Sequence, residues 1–209
     1  MGMAQERWLL NGLAASAQSG TRWQVLAQQV IMGTTYLPQT ATSWLGPAAA
    51  RSSDQRRGID IAVALSRAGL PFGLDRWDGY PAARERLLRG ARAAGVNLVA
   101  LSGDSHNGWA YELSVDRAPA GVEFAGQAVS SLGLEKRFDG EPARIAADFI
   151  AANPGLKWCD TSRRGYMIVE FARDHAHCEW VFLPSRDRRS IELLGSASMV
   201  SEHGSGRLL

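Results

Sequence analysis

A short apolar run that ends in a polar loop constrains the fold of this chain more than any other feature. Val96–Leu101 is almost entirely apolar and has the length of a strand buried on both faces. The run ends at Ser102-Gly103, and Asp104 and His106 follow at once. Because ligands of open α/β sheets bind beyond the carboxyl ends of the strands, such a loop can direct a carboxylate and an imidazole at one point. The run therefore predicts a ligand site at the end of a buried strand.

Asp104 and His106 form the first candidate site. A carboxylate oxygen together with an imidazole nitrogen suits iron, manganese or zinc, and carboxylates also bind calcium. An Asp-x-His triplet is common by chance, so the pair carries weight because of its position after a buried strand. On these grounds the pair is a candidate metal site.

Composition and charge exclude several other classes of protein. The chain has 209 residues, 45% of them hydrophobic and 21% charged, which is ordinary for one globular domain. Its net charge of +2 indicates no polyanion-binding surface, so we expect no specific nucleic-acid binding. No apolar run approaches the roughly 18 residues of a membrane span. The first residues lack the pattern of a signal peptide, and the cellular location stays open. Cys159 and Cys178 make no disulfide framework.

Hydrophobic periodicity predicts helices and strands that alternate, as is typical of a layered α/β fold. The predicted helices are Ala4–Ala17, Gln55–Ser66, Pro81–Ala94 and Pro142–Ala152. The predicted strands are Trp23–Met32, Val96–Leu101, Trp109–Val115, Val122–Ser130 and a hairpin of Tyr166–Ala172 with Ala176–Leu183. Gly33–Arg57 is rich in small and turn-forming residues and is expected to be mostly loop. Residues 190–209 are weakly patterned and are expected to form a weakly structured tail.

A second polar stretch precedes the predicted helix at Pro81. It reads Leu74-Asp-Arg-Trp-Asp-Gly-Tyr-Pro81 and combines aromatic rings with two carboxylates, Asp75 and Asp78. Carboxylates favour helix starts through side-chain hydrogen bonds and the helix dipole, so capping of the Pro81 helix is one interpretation. The other interpretation is that the stretch borders a binding site.

Gly103-Asp104-Ser105-His106 also matches the start of the Gly-Asp-Ser block of serine esterases. Ser105 would then be the nucleophile, and Asp174-x-x-His177 would supply the other two members of a triad. In those hydrolases the block lies near the N-terminus and leads into a helix. Here it lies in mid-chain and leads into a predicted strand, so the esterase is the more distant alternative.

Six segments, taken in order, resemble one protein family. They are Arg22–Val30, Asp75–Arg84, Leu101–Trp109, Gly121–Phe124, Asn153–Trp158 and a run from Arg164-Gly165-Tyr166 to Glu179-Trp180. Together they resemble the C-terminal half of PhoD-like alkaline phosphatases, which belong to the calcineurin-like metallophosphoesterases. The resemblance extends from about Gln5 to Pro184. It implies one domain over residues 1–189 with an α/β fold, part of a two-sheet sandwich flanked by helices.

The resemblance also implies an activity, which is hydrolysis of phosphate mono- or diesters at a cluster of metal ions, with calcium and iron expected. The polar residues of the family's Gly-Asp-x-His loop are ligands, so Asp104 and His106 would be catalytic residues and metal ligands. The loop that matches the family's Asp-x-Trp-Asp-Gly-Tyr pattern would form a substrate-binding wall of Asp75, Trp77, Asp78 and Tyr80. Members of the family are often exported.

One departure from the family pattern bears on activity. The family's upstream half supplies most metal ligands, and nothing in this sequence corresponds to it. Two matched ligands are too few for a catalytic cluster, since even a catalytic zinc takes about three protein ligands. We therefore expect a truncated chain that needs an upstream half-domain or self-association for activity. The alternative is a non-catalytic remnant that binds phosphate or a partner.

Overall fold

The computed structural model describes residues 1–46 and 53–209, which form four α-helices, eight strands and short 3-10 turns within those ranges. The α-helices are α1 (Met3–Gln18), α2 (Ser53–Arg67), α3 (Pro81–Ala93) and α4 (Pro142–Ala152). The strands are β1 (Gln24–Ala27), β2 (Leu98–Ser102), β3 (Gly108–Val115), β4 (Ala118–Ala125), β5 (Leu156–Asp160), β6 (Arg164–Phe171), β7 (His175–Leu183) and β8 (Ser196–Glu202). Short 3-10 helices lie at Gln39–Leu45, Trp77–Gly79 and Leu134–Lys136.

The first sheet contains five strands in the order β1-β2-β4-β3-β5. β2 lies parallel to both β1 and β4, and Val99 of β2 pairs in register with Val25 and Val122. β3 runs antiparallel to β4 and to β5. Because β1, β2 and β4 run in one direction, their carboxyl ends meet at one edge of the sheet, where the loop after β2 begins.

The second sheet has the order β6-β7-β8 and packs against one face of the first. Val99 and Phe124 of the first sheet share a buried cluster with Cys178 and Trp180 of β7. The Trp180 indole N–H donates a 2.9 Å hydrogen bond to the carbonyl of Ala125 at the end of β4. A hydrogen bond from a large buried ring fixes how the two sheets sit together.

Helices cover the opposite face of the first sheet. Leu87, Leu88 and Ala91 of α3 are fully buried against the sheet, and Leu13 of α1 joins the same cluster. α1 and α3 are also joined on the outside, where the carboxylate of Glu6 accepts a 2.7 Å bond from Arg86. No helix in the described ranges is long and apolar enough to span a bilayer.

The predicted helices and most predicted strands are confirmed, although the strand predicted at Val122–Ser130 lies at Ala118–Ala125. Three predicted helices lie within two residues of α1, α2 and α3, and Pro142–Ala152 is confirmed as α4. The hairpin forms as β6 and β7, and the apolar run forms β2, with Val99 and Ala100 buried on opposite faces. The two-sheet α/β arrangement with flanking helices is therefore the observed fold.

Several expectations are wrong in detail. The strand predicted at Trp23–Met32 is only Gln24–Ala27, because the chain leaves the sheet and its Met32 N–H bonds to the Glu123 carboxylate. The long loop contains the helical turn Gln39–Leu45, which buries Trp44. Residues 47–52 of that predicted loop lie outside the described part.

The prediction of a weakly structured tail over residues 190–209 is also wrong where Ser196–Glu202 forms β8. That strand pairs with β7 along seven residue pairs. Beyond it, Leu208 is buried, and its N–H donates a 3.1 Å bond to the carboxylate of Glu112. The order of this segment comes from pairing and burial rather than from its own hydrophobic pattern. Cys159 and Cys178 are both buried free thiols.

Candidate functional site

In the loop after β2, two residues have an unusual backbone conformation. Asp104 has a φ of 61° and His106 a φ of 62°, both in the left-handed region that residues other than glycine rarely adopt. Such conformations persist only where surrounding contacts impose them, and they cluster at functional sites. Asp104, Ser105 and His106 of this loop line a cavity of about 340 Å³ together with Asp75, Arg76 and Arg137.

The imidazole of His106 has one nitrogen engaged by the protein. Its Nδ1 lies 2.8 Å from the carbonyl oxygen of Leu132. Because a carbonyl only accepts, Nδ1 must carry the proton, which leaves the electron pair of a neutral ring on Nε2. A histidine oriented in this way through Nδ1 is the usual form of a metal-ligating imidazole.

A buried arginine from the second sheet supports the same loop. The side chain of Arg164, at the start of β6, is only 6% exposed. Its guanidinium donates to the carbonyl of His106 and, at 2.8 Å, to the carbonyl of Ser131. It also forms a 3.0 Å ion pair with Glu135. Burial lowers the pKa of Arg164, although arginine stays charged across the ordinary pH range.

Glu135 and Asn107 connect the loop to the turn at residues 131–135. One Glu135 carboxylate oxygen accepts a 2.9 Å bond from the N–H of Gly133. The side-chain oxygen of Asn107 accepts a 3.0 Å bond from the N–H of Leu134. Two segments that are distant in sequence are therefore joined by the His106 ring, the Arg164 guanidinium and the Asn107 amide.

A fully buried carboxylate joins β4 to the end of β2 and to the segment that follows β1. Glu123 of β4 accepts bonds from the N–H groups of Met32 and Gly33, at 2.8 and 2.7 Å. It also accepts a 2.8 Å bond from the hydroxyl of Ser102, the last residue of β2. Burial raises the pKa of Glu123, and the three donors oppose that rise. A charged residue inside the apolar Gly-Val-Glu-Phe-Ala run was the available sequence signal for this role.

The Asp-Arg-Trp-Asp-Gly-Tyr stretch is divided between the cavity and the core. Asp75 lines the cavity, whereas Trp77, Asp78 and Tyr80 do not belong to its lining. The Trp77 indole donates a 3.0 Å bond to the side chain of Gln28. The buried Asp78 carboxylate accepts a 3.0 Å bond from the N–H of Thr35, and burial raises its pKa. Tyr80 is exposed.

The capping interpretation of Asp78 is wrong. α3 has Tyr80 in the position before its first residue, and no side chain there caps the helix. Asp78 instead bonds to the segment that follows β1. The stretch therefore anchors the residue 28–35 segment to the start of α3.

The serine esterase triad is not assembled. The Ser105 hydroxyl accepts a 2.9 Å bond from the indole N–H of Trp109 and donates to the carbonyl of Asn107. Asp174 lines a different cavity, with His175 and His203. His177 lies within β7, where it pairs with residues of β6 and β8.

Asp104 and His106 supply the two kinds of donor that a metal ion takes, an oxygen and a nitrogen. Within residues 1–46 and 53–209, no three Asp, Glu, His or Cys side chains converge to hold a metal ion. The described residues therefore do not by themselves complete a metal site. Arg76, Arg137, Arg164 and Glu123 also belong to the site or its support, and sequence patterns did not identify them.

The fold and the site define a class of protein, a two-sheet α/β protein whose polar cavity lies at the carboxyl ends of parallel strands. Comparison with known proteins gives the family. The family model described as PhoD-like phosphatase matches residues 1–180, and the chain belongs to that family of hydrolases.

Two relatives support this assignment. Alkaline phosphatase D of Bacillus subtilis (strain 168) is 30% identical over 175 residues, which make up 80% of this chain and 24% of that protein. A solved structure of PhoD matches with a TM-score of 0.70 and 25% identity, over 100% of this chain and 34% of its own. The chain thus spans about a quarter of the curated relative that it matches.

Proposed function

We propose that this chain carries part of the active site of a metal-dependent phosphoric ester hydrolase that acts on phosphate mono- or diesters. The observation that carries the proposal is the His106 ring, which is tied through Nδ1 to Leu132 and lines the same cavity as Asp104. Membership in the PhoD-like phosphatase family supports the reaction class. Asp104 and His106 are the proposed catalytic and metal-binding residues.

Calcium and iron are the proposed ions, with other divalent metals as alternatives. A carboxylate oxygen suits calcium, and a carboxylate with an imidazole suits iron. When bound, such ions supply positive charge that stabilises the phosphoryl oxygens and makes water a better nucleophile. The protein's own contribution is orientation, since Leu132 sets the tautomer of His106 and Arg164 holds its backbone.

The remaining ligands are proposed to come from another polypeptide segment, either an upstream half-domain or a second copy of this chain. The reason is the small number of donors, because a catalytic zinc already takes about three protein ligands. Asp75 lines the same cavity and is the proposed substrate-facing member of its stretch. Trp77, Asp78 and Tyr80 are proposed to form the outer wall and its support.

A second candidate is a non-catalytic module that binds phosphate or a partner. The observation that favours it is the absence, among the described residues, of three converging metal donors. The two candidates differ in turnover, so hydrolysis distinguishes them.

The test is hydrolysis of p-nitrophenyl phosphate and bis-p-nitrophenyl phosphate by the 209-residue chain with added Ca²⁺ and Fe³⁺. When the missing ligands are supplied by an upstream half or by self-association, we expect metal-dependent turnover that disappears when Asp104→Ala and His106→Ala are combined. The matched control combines Asp174→Ala with His175→Ala, an acid and an imidazole 2.8 Å apart outside the cavity, and should keep full turnover. Turnover that survives in the first double variant contradicts the proposed site. No turnover by the chain, alone or with an upstream half, favours the non-catalytic module.

A further inference from the structure

Two arginines line the cavity, and one of them, Arg76, is attracted electrostatically to the buried Asp78. Arg76 precedes the Trp77 turn and Arg137 follows the turn at residues 134–136, and both border the cavity of Asp104 and His106. Within the described ranges neither guanidinium forms a hydrogen bond or an ion pair. Arg163 and Arg164, by contrast, are paired with Asp160 and Glu135. Two permanent positive charges therefore remain available to a ligand in the cavity.

The backbone holds Arg76 in place on both sides. Its N–H donates a 3.2 Å bond to the carbonyl of Gly73, and its carbonyl accepts a 3.1 Å bond from the N–H of Gly79. Gly73 has a φ of +90°, and a Cβ there would lie 3.2 Å from Nε of Arg76. The side chain thus lies across a turn that has no room for a larger residue without a shift.

Arg137 is held through the turn that supports His106. Its N–H donates a 2.8 Å bond to the carbonyl of Leu134. The same turn contains Glu135, which is paired with the buried Arg164. The structure therefore brings guanidiniums from two distant segments to one cavity, each on an anchored backbone.

The charges of the cavity are divided in a way that suits a metal ion and a phosphate together. Asp75 and Asp104 are acceptors for cations, whereas Arg76 and Arg137 can only donate. The planar guanidinium matches the oxygens of a phosphoryl group and bonds to two of them at once. A phosphomonoester carries two negative charges near neutral pH and a diester carries one, so two arginines favour the monoester.

We propose that Arg76 and Arg137 bind the phosphoryl oxygens of the substrate and favour doubly charged phosphomonoesters over phosphodiesters. This inference rests on the proposed function, because it assigns the substrate class of the same cavity. Both arginines are substrate-binding residues in this account, and neither is a metal ligand.

The test is calorimetric titration of inorganic phosphate into the 209-residue chain in the presence of Ca²⁺. Because hydrogen bonds to a charged group contribute about 1.5–3 kcal/mol, Arg76→Ala and Arg137→Ala should each raise the Kd about tenfold or more. Arg76→Lys and Arg137→Lys keep the positive charge but cannot bond to two phosphoryl oxygens at once, so we expect an intermediate Kd for phosphate. Arg144→Ala removes an exposed arginine of α4 and should leave the Kd unchanged.

Substrate preference gives a second readout wherever turnover is measured. Arg137→Ala should raise the KM of p-nitrophenyl phosphate more than the KM of bis-p-nitrophenyl phosphate. Equal phosphate binding by wild type and both alanine variants overturns the inference, and so does the absence of phosphate binding by wild type. In both cases metal binding at Asp104 and His106 can remain intact, so the proposed function is judged separately. If the chain binds phosphate but no metal, the proposed metal-dependent function is contradicted and the inference about the two arginines stands.

Discussion

At the scale of single residues, His106 is held from two directions. Leu132 accepts from Nδ1 of its ring, and the guanidinium of Arg164 binds its backbone carbonyl. The second contact is made by a buried cation, which has given up water and depends on its protein partners. Arg164 is therefore a positioning residue, which acts on the cavity through the loop of His106.

The Arg164→Ala variant tests this positioning role. The change removes the donor to the His106 and Ser131 carbonyls and to one oxygen of the Glu135 carboxylate, so we expect the free energy of unfolding to fall by about 2–3 kcal/mol. Metal affinity should fall as well, because His106 loses its fixed orientation. Urea unfolding and metal titration measure the two effects, and Arg164→Lys should recover part of both. Full metal affinity in a folded Arg164→Ala variant contradicts the role.

Sequence patterns identify these residues unequally. Asp104 and His106 lie two positions apart at the end of an apolar run, so local reasoning predicts that they share a loop. Arg164 lies 58 residues from His106, and only the packing of the second sheet on the first brings them together. Arg76 and Arg137 could not be predicted either, because their local sequence does not distinguish them from the other arginines of this chain.

At the scale of elements, β1 is short because the chain that follows it turns to form hydrogen bonds with the Glu123 carboxylate. Gln28 and Gln29 still bond to the backbone of the β2 segment, and the N–H groups of Met32 and Gly33 then turn toward that carboxylate, which also binds the end of β2. Gly33 passes so close to the ring of Tyr111 that an added Cβ would lie 2.2 Å from it. Glu123 thereby links β4, the end of β2 and the segment that follows β1.

Glu123 should make stability depend on pH. Its pKa is raised in the folded chain, so between the ordinary value of 4.5 and the folded value the native state binds more protons than the unfolded state. This contribution to the free energy of unfolding therefore falls as pH rises through that window. Glu123→Gln removes the titration, so its destabilisation relative to wild type should be larger at pH ~5 than at pH ~8. Urea unfolding at both pH values measures this, with the exposed Glu192→Gln as control. A difference that grows with pH contradicts the assignment.

Gly33→Ala tests the close approach of the β1 segment to Tyr111. Overpacking of a core typically costs about 1–3 kcal/mol, and we expect a loss of that size in the free energy of unfolding. Gly12 in α1 has open space around its Cα, so Gly12→Ala should stabilise by about 0.5–1 kcal/mol. Thermal or urea unfolding of both variants gives the comparison. A neutral Gly33→Ala would mean that the Tyr111 ring moves aside.

Hydrophobic periodicity predicts elements best where one segment carries the whole signal. The four helices and the β6–β7 hairpin have clear periods, and all of them form. β8 has the sequence Ser-Ala-Ser-Met-Val-Ser-Glu, whose order depends on pairing with β7 and on the nearby burial of Leu208. β5 has only five residues and, like β8, is defined by its pairing, in this case with β3. Elements stabilised mainly by distant partners are the ones that local patterns miss.

At the scale of the whole molecule, the first sheet is covered by helices on one face and by the second sheet on the other. The edges of the sheet are less well covered than its faces. Within the described residues, β1 is an edge strand with parallel pairing on one side, and Val25 on it is exposed. Unpaired edges of this kind are templates for association with another chain. Trp8 of α1 adds a large exposed aromatic surface, with a relative exposure of 72%.

We therefore predict that the chain associates with itself as its concentration rises. Sedimentation velocity over a hundredfold range of concentration measures the association. Val25→Lys places a charge on the edge strand and should shift the equilibrium toward monomer. A single monomeric species at every concentration, in wild type and variant alike, contradicts the prediction.

Asp104 and His106 are the proposed ligands of a metal ion, through a carboxylate oxygen and Nε2. The most direct measurement is the ¹⁵N NMR spectrum of the four histidine side chains during titration with a diamagnetic divalent metal such as Zn²⁺. We predict that the ¹⁵N signal of His106 Nε2 shifts first and that Asp104→Ala abolishes this shift, while the signals of His175, His177 and His203 stay unchanged. A His106 signal that does not change when metal is added, or that changes equally after Asp104→Ala, would contradict this assignment of the ligands.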